Sequence, residues 1–131
     1  MASELRVNTL KDAAGNNSIA TSFVAGGSAK AWGHMNGSGT PAYGDSLNMA
    51  SITDNGTGNY TQAFTSALAN VSYSASGTNG DGSAQTGGAI CNRSAVYATG
   101  SYGFTTTFTT GSTPAAYDPS DVSTSINGDL A

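Results

Sequence analysis

The stretch Ser46–Thr65, SLNMASITDNGTGNYTQAFT, constrains what this chain can fold into more than any other. Tyr60, Gln62 and Phe64 recur with period two, as do Leu47 and Met49, the spacing that puts alternate side chains on one face of a sheet. Between the two runs, Asp54-Asn55-Gly56-Thr57-Gly58-Asn59 consists of residues that tolerate positive φ or bond their own backbone, as a tight or bulged loop requires. The stretch therefore reads as one β-hairpin, with Leu47 and Met49 on its first strand. It specifies a scaffold and no chemistry.

The flanking sequence repeats the pattern in shorter pieces. Residues 2–10 alternate Leu5 and Val7 against Glu4 and Arg6, a turn follows at 12–17, and Ser18–Val24 reads as a second short strand closed by Gly26-Gly27. A two-stranded piece of this size is marginal in water and has to pack on a symmetry mate or a docking partner. Residues 1–28 are thus expected to form an attachment arm, with Leu5, Val7, Leu10 and Ile19 as its anchoring side chains, and 29–131 a single domain. Within that domain further strands are expected over 68–76 (Val71, Tyr73 and Ala75 on one face), 89–99, 102–110 and 121–130, with a glycine-rich loop at 77–88. The only stretch that competes as a helix is 62–69, and its β-prone neighbours favour strand. About eight short strands at this spacing predict an all-β, antiparallel β-sandwich, jelly-roll-like, with a short N-terminal β arm.

Composition narrows the class. Large aliphatics and Phe number only eighteen in 131 residues, so the predicted core is thin. Low hydrophobicity with high net charge would signal disorder, but the formal charge is only −4 and the turn signals are regular. Sharing a core between subunits is one remedy for a thin one, which predicts a homo-oligomer. Arg6, Lys11, Lys30 and Arg93 are scattered, which argues against nucleic acid as a partner. No apolar run approaches the roughly 20 residues that span a bilayer, so membrane insertion is not expected, and the polar start has no secretory apolar region. The single Cys91 excludes an intrachain disulfide framework, suits assembly in a reducing cytoplasm, and reads as a small buried apolar side chain.

Catalytic chemistry has little to draw on. His34 is the only imidazole, and a triad would have to recruit it with Asp45 or Asp54 and a distant serine. Three copies of His34 on a trimer axis would hold a metal only without ligands of a second type, so no metal or cofactor is expected. The clusters at 54–56 and 79–82 lack the spaced carboxylates of a calcium loop, and Gly56-Thr57-Gly58 is followed by no helix that would make it a nucleotide fingerprint. Binding is the remaining class. Trp32 belongs in the core or at a subunit contact, with a binding surface as the alternative. Tyr43, Tyr97, Tyr102 and Tyr117 lie near loops rich in Asn and Asp, and Trp32, Tyr43, Asn79, Asp81 and Tyr102 are the candidate receptor or interface residues.

Taken in order, several stretches carry a resemblance: SELRVNTLKDAAGNNSI, then AKAW with NGSGTPAYGDSLNMASITDNGTGNYTQAFTSALANVSYSASG, and finally YGFTTTF with DPSDVSTSINGD. Together they resemble a β-domain of phage tail fibres and related virion appendages, found in marine phages, cyanophages and prophages. The resemblance covers nearly the whole chain except 77–88. It implies a non-enzymatic virion component, commonly homotrimeric, assembled in the bacterial host cytoplasm and attached to tail, baseplate or capsid proteins. A short fibre that contacts host surface polysaccharide is the role expected first, and a capsid decoration or cement protein is the alternative.

Overall fold

The computed structural model describes residues 5–81, 88–91, 97–110 and 113–131. The central hairpin forms from β5 (Met49–Asp54) and β6 (Asn59–Phe64), paired antiparallel with Asp54 opposite Tyr60. Its loop is preset locally: Gly56 and Gly58 adopt φ of 112° and 64°, and Asp54 Oδ1 accepts the Gly56 N–H at 2.8 Å. Leu47 is not part of this hairpin. It ends β4 (Ala42–Leu47), which belongs to the opposite sheet. The apparent period-two run is broken at Asn48, whose φ of 56° turns the chain from one sheet into the other. Asn48 tolerates that conformation because its side chain is fully engaged: Oδ1 accepts the Ser66 N–H at 2.7 Å, and Nδ2 donates to the carbonyls of Lys30 and Ser66, each at 3.0 Å.

The fold is an all-β antiparallel sandwich. One sheet is ordered β4-β3-β12-β7, adding β3 (Ala29–Asn36), β7 (Ser74–Gly80) and β12 (Asp121–Asn127). The other is organised on β10 (Ser101–Thr110). Along one edge β10 pairs with β6 and then β11 (Thr113–Ala116); along the other it pairs with β9 (Tyr97–Ala98) and β8 (Gly88–Cys91). Pairing skips Gly44 on β4 and Ala50 on β5, so each of these edge strands carries a β-bulge.

Alternation decides what enters the core. Ala31 and Met35 of β3, Val122 and Ile126 of β12, Tyr60 and Phe64 of β6, and Tyr102 and Phe104 of β10 are all buried. Aromatic rings compensate for the shortage of aliphatics: Tyr60–Phe104, Phe104–Tyr102, Tyr102–Tyr97 and Tyr97–Tyr73 form a continuous chain with centroids 4.9–5.7 Å apart. Their polar ends find partners. Tyr73 donates to the Ser101 carbonyl at 2.9 Å, and the Tyr60 O–H is shared between Asp118 Oδ1 at 2.7 Å and the Gly37 carbonyl at 3.0 Å. Gln62 lies in the same apolar layer with 0% exposure; its Oε1 accepts from Thr124 Oγ1 at 2.9 Å, a polar bond from one sheet to the other.

The arm consists of β1 (Thr9–Lys11), β2 (Ser18–Ala20) and a helix, α1 (Thr21–Gly27). The expected strand at 18–24 is thus half strand and half helix. Two contacts outside the run account for the change: the Thr21 N–H donates to the Asn8 carbonyl at 3.0 Å, and Lys30 Nζ bonds the Ala25 carbonyl at the C-terminal end, where a cation is favoured. The turn before β2 is held by Asp12, which accepts from the Asn16 N–H at 2.9 Å and from Asn17 Nδ2 at 2.7 Å.

Further boundaries shift. The strand expected over 68–76 begins only at Ser74, leaving Val71 about half exposed, while Gly77–Gly80, expected as loop, continue β7 in register with β12. β11 occupies a stretch expected as connection. Positions 82–87 of the glycine-rich loop and 92–96 of the strand expected over 89–99 lie outside the described residues. No helix among the described residues is long and apolar enough to cross a membrane.

Candidate functional site

Two surfaces stand out for chemistry that the fold itself does not use. The first is the arm. Leu10 and Ile19 are cross-strand partners and so share one face of the small hairpin, 43% and 45% exposed. Leu5 is 80% exposed and Val7 39%. All four proposed anchors therefore present apolar surface to solvent. The helix adds two side chains that the strand reading could not single out, Phe23 at 73% and Val24 at 42%. Where the arm meets the sandwich, Ala25, Ala29, Leu47, Asn48 and Leu130 line an open groove of about 610 Å³.

The second surface is the outer face of the β4-β3-β12-β7 sheet. Strand pairing sets it out in cross-strand rows: Leu47, Trp32, Ser125 and Ser76 form one, and Asp45, His34, Ser123 and Thr78 the next. Trp32 is half-buried and faces outward, between the inward Ala31 and Gly33. Of the alternatives left by the sequence, this placement removes the sandwich core: Trp32 belongs to a surface, where a subunit contact and a binding role both stay open. His34 Nε2 lies 3.0 Å from Asp121 Oδ1, with both side chains more than half exposed. Of the carboxylates considered from sequence, Asp45 is the cross-strand neighbour of His34 and Asp54 belongs to the other sheet; the one that bonds it, Asp121, sits 87 positions away with no local signal.

The remaining candidates scatter. Tyr102 is 2% exposed within the aromatic chain, so it meets no ligand from solvent on this subunit, a correction forced by the alternation of β10. Tyr43 faces inward from β4 opposite Met35, and burial raises its phenol above the ordinary value. Asn79 donates to Tyr117 Oη at 3.0 Å and to the Thr107 carbonyl at 3.3 Å, tying β7 to the second sheet. Asp81 lies just beyond β7 and contributes to the raised pKa of Tyr117, for which burial is the larger cause. Trp32 lies in the middle of β3 and Asp81 beyond the end of β7, and the five residues form no single site. Among the described residues no group of three or more His, Cys, Asp and Glu is placed to hold a metal ion. No protein-family model, curated protein or solved structure matches the chain.

Proposed function

We propose that the chain is a non-enzymatic structural protein of a bacteriophage particle, a trimeric short fibre or appendage subunit whose arm docks on a neighbouring virion protein while the sandwich is displayed outward. The observation that carries this reading is the run of exposed apolar side chains on the arm, from Leu5 to Val24. Each such side chain contributes ~1.5–3 kcal/mol when fully removed from water, which favours a partner over solvent. The resemblance carried by the 46–65 stretch points to the same class of particle.

The test is incorporation into particles. Leu10→Asp combined with Ile19→Asp should abolish incorporation, read by quantitative mass spectrometry of purified particles, while leaving the main melting transition of the purified full chain unchanged; equal copy number in variant and parent particles would refute the anchoring role. Sedimentation of the purified protein tests the trimer, and a stable monomer at all concentrations contradicts it. Capsid decoration is the second reading, favoured by the small hairpin-and-helix arm, which suits a seam between shell subunits. It requires that particles lacking the protein lose shell stability on heating.

A further inference from the structure

On the outer face of the β4-β3-β12-β7 sheet, the β7–β12 side carries mostly hydroxyl side chains. Ser76 and Thr78 of β7 stand opposite Ser125 and Ser123 of β12, and these four hydroxyl residues border a groove of about 270 Å³ whose floor is formed at Gly77 and Thr124. Each hydroxyl both donates and accepts, so the groove matches a ligand whose own groups do both, as the diols of a sugar do. It holds no charged residue, and the chain's net charge of −4 disfavours a phosphorylated or acidic ligand. Trp32, the only tryptophan of the chain, lies immediately across β12 from the groove, as the cross-strand partner of Ser125. β3 and β7 are two strand spacings apart, ~9.6 Å, which leaves room for neighbouring sugar rings on the indole and in the groove. The His34–Asp121 pair, with both side chains more than half exposed, borders the same face. A protein partner would call for a contiguous apolar patch, whereas Trp32 and Leu47 are the only large apolar side chains on this face among the described residues.

We infer that this face is a binding site for a neutral polysaccharide, with Trp32 as the stacking plane and the β7–β12 hydroxyl groove as the hydrogen-bonding element. Aromatic faces stack on the apolar side of a pyranose while hydroxyls fix its orientation, a division of labour that ligand sites commonly use. The biological source, a host cell-surface glycan, rests on the reading of the chain as an exposed particle appendage; the chemistry of the site does not.

The test uses the purified full chain on an array of neutral bacterial surface polysaccharides, with Trp32 emission as a second readout. The expected result is binding to at least one array member, with a saturable change in Trp32 emission. Trp32→Ala should weaken that binding at least tenfold, and Trp32→Tyr should restore part of it. Ser76→Gln with Ser125→Gln, which fills the groove and leaves the indole in place, should weaken it as well, and a thermal melt of each variant confirms the fold. Absence of binding across the array, or binding that Trp32→Ala and the groove variant both leave unchanged, overturns the site. Trp32-dependent binding by a protein that proves absent from particles keeps the site and refutes the appendage reading, so the two fail separately.

Discussion

The hydrogen bond between Gln62 and Thr124 offers the sharpest test of how the two sheets are held together. Gln62 is wholly buried and Thr124 is 4% exposed, so neither can exchange its partner for water. Thr124→Val keeps the shape of the side chain and removes the hydroxyl that donates to Gln62 Oε1. The stranded carbonyl then bears its desolvation cost, ~1–3 kcal/mol. At about 4 °C per kcal/mol for a domain of this size, the melting temperature should fall by ~4–12 °C. Gln62→Leu alone should also destabilise, because it leaves the Thr124 hydroxyl buried without its acceptor. The double variant, Gln62→Leu with Thr124→Val, replaces both polar groups by apolar ones and should be less destabilised than the sum of the singles, with a coupling of ~1–2 kcal/mol. Equilibrium urea denaturation of the four proteins closes the cycle. Additive effects, or a Thr124→Val variant within ~0.5 kcal/mol of the parent, would refute the claim that this bond spans the core.

Three further outcomes follow from the same structure. Burial pushes the phenols of Tyr73 and Tyr102 up to about 12 from an ordinary 10, so the fold's preference for neutral tyrosine is fully present below pH 10 and is lost as pH rises through 10 toward 12; phenolate absorbance and loss of near-ultraviolet dichroism should therefore rise together in an alkaline titration. Asp12 is held below its ordinary value of 3.8, first by the Asn17 side chain, so the order it gives the arm turn is present above that value and is lost as pH falls below it; the Asn16 and Asn17 amide signals should collapse toward random-coil shifts in that acid range while those of the sandwich core stay in place. Gly58→Ala should destabilise by more than ~2 kcal/mol, since it combines a φ of 64° with a Cβ placed 2.7 Å from the Thr106 carbonyl oxygen; a melt within a few degrees of the parent would show that the loop can move aside.

What the sequence revealed followed the reach of its signals. Period-two runs located β6, β10 and β12, because alternation is a local property of the strand; which face turns inward, with Tyr60, Phe104, Val122 and Ile126, came from the structure. The exposure of Leu5, Val7, Leu10 and Ile19 was legible as well, because they are apolar residues on a piece too small to bury them. Boundaries set by distant partners were not legible. The helix at Thr21 depends on Asn8 and Lys30, and the break at Asn48 depends on Ser66, none of which a local window weighs. The Trp32 face was hidden for a related reason: its hydroxyls come from β7 and β12, far apart in the chain, and β7 was obscured by glycines that lie in register with β12.

The bulges at Gly44 and Ala50 bear on how copies of this protein can meet. A sheet grows by accepting another strand along its edge, and an edge interrupted by an extra residue no longer offers evenly spaced N–H and C=O groups to a newcomer. Both edges that succeed one another in the chain, β4 and β5, are interrupted in this way. Edge-to-edge strand addition between sandwiches is thereby discouraged at both. The opposite edge of the first sheet, β7, has no such interruption in its pairing with β12, so the two edges of that sheet are unequal toward an incoming strand.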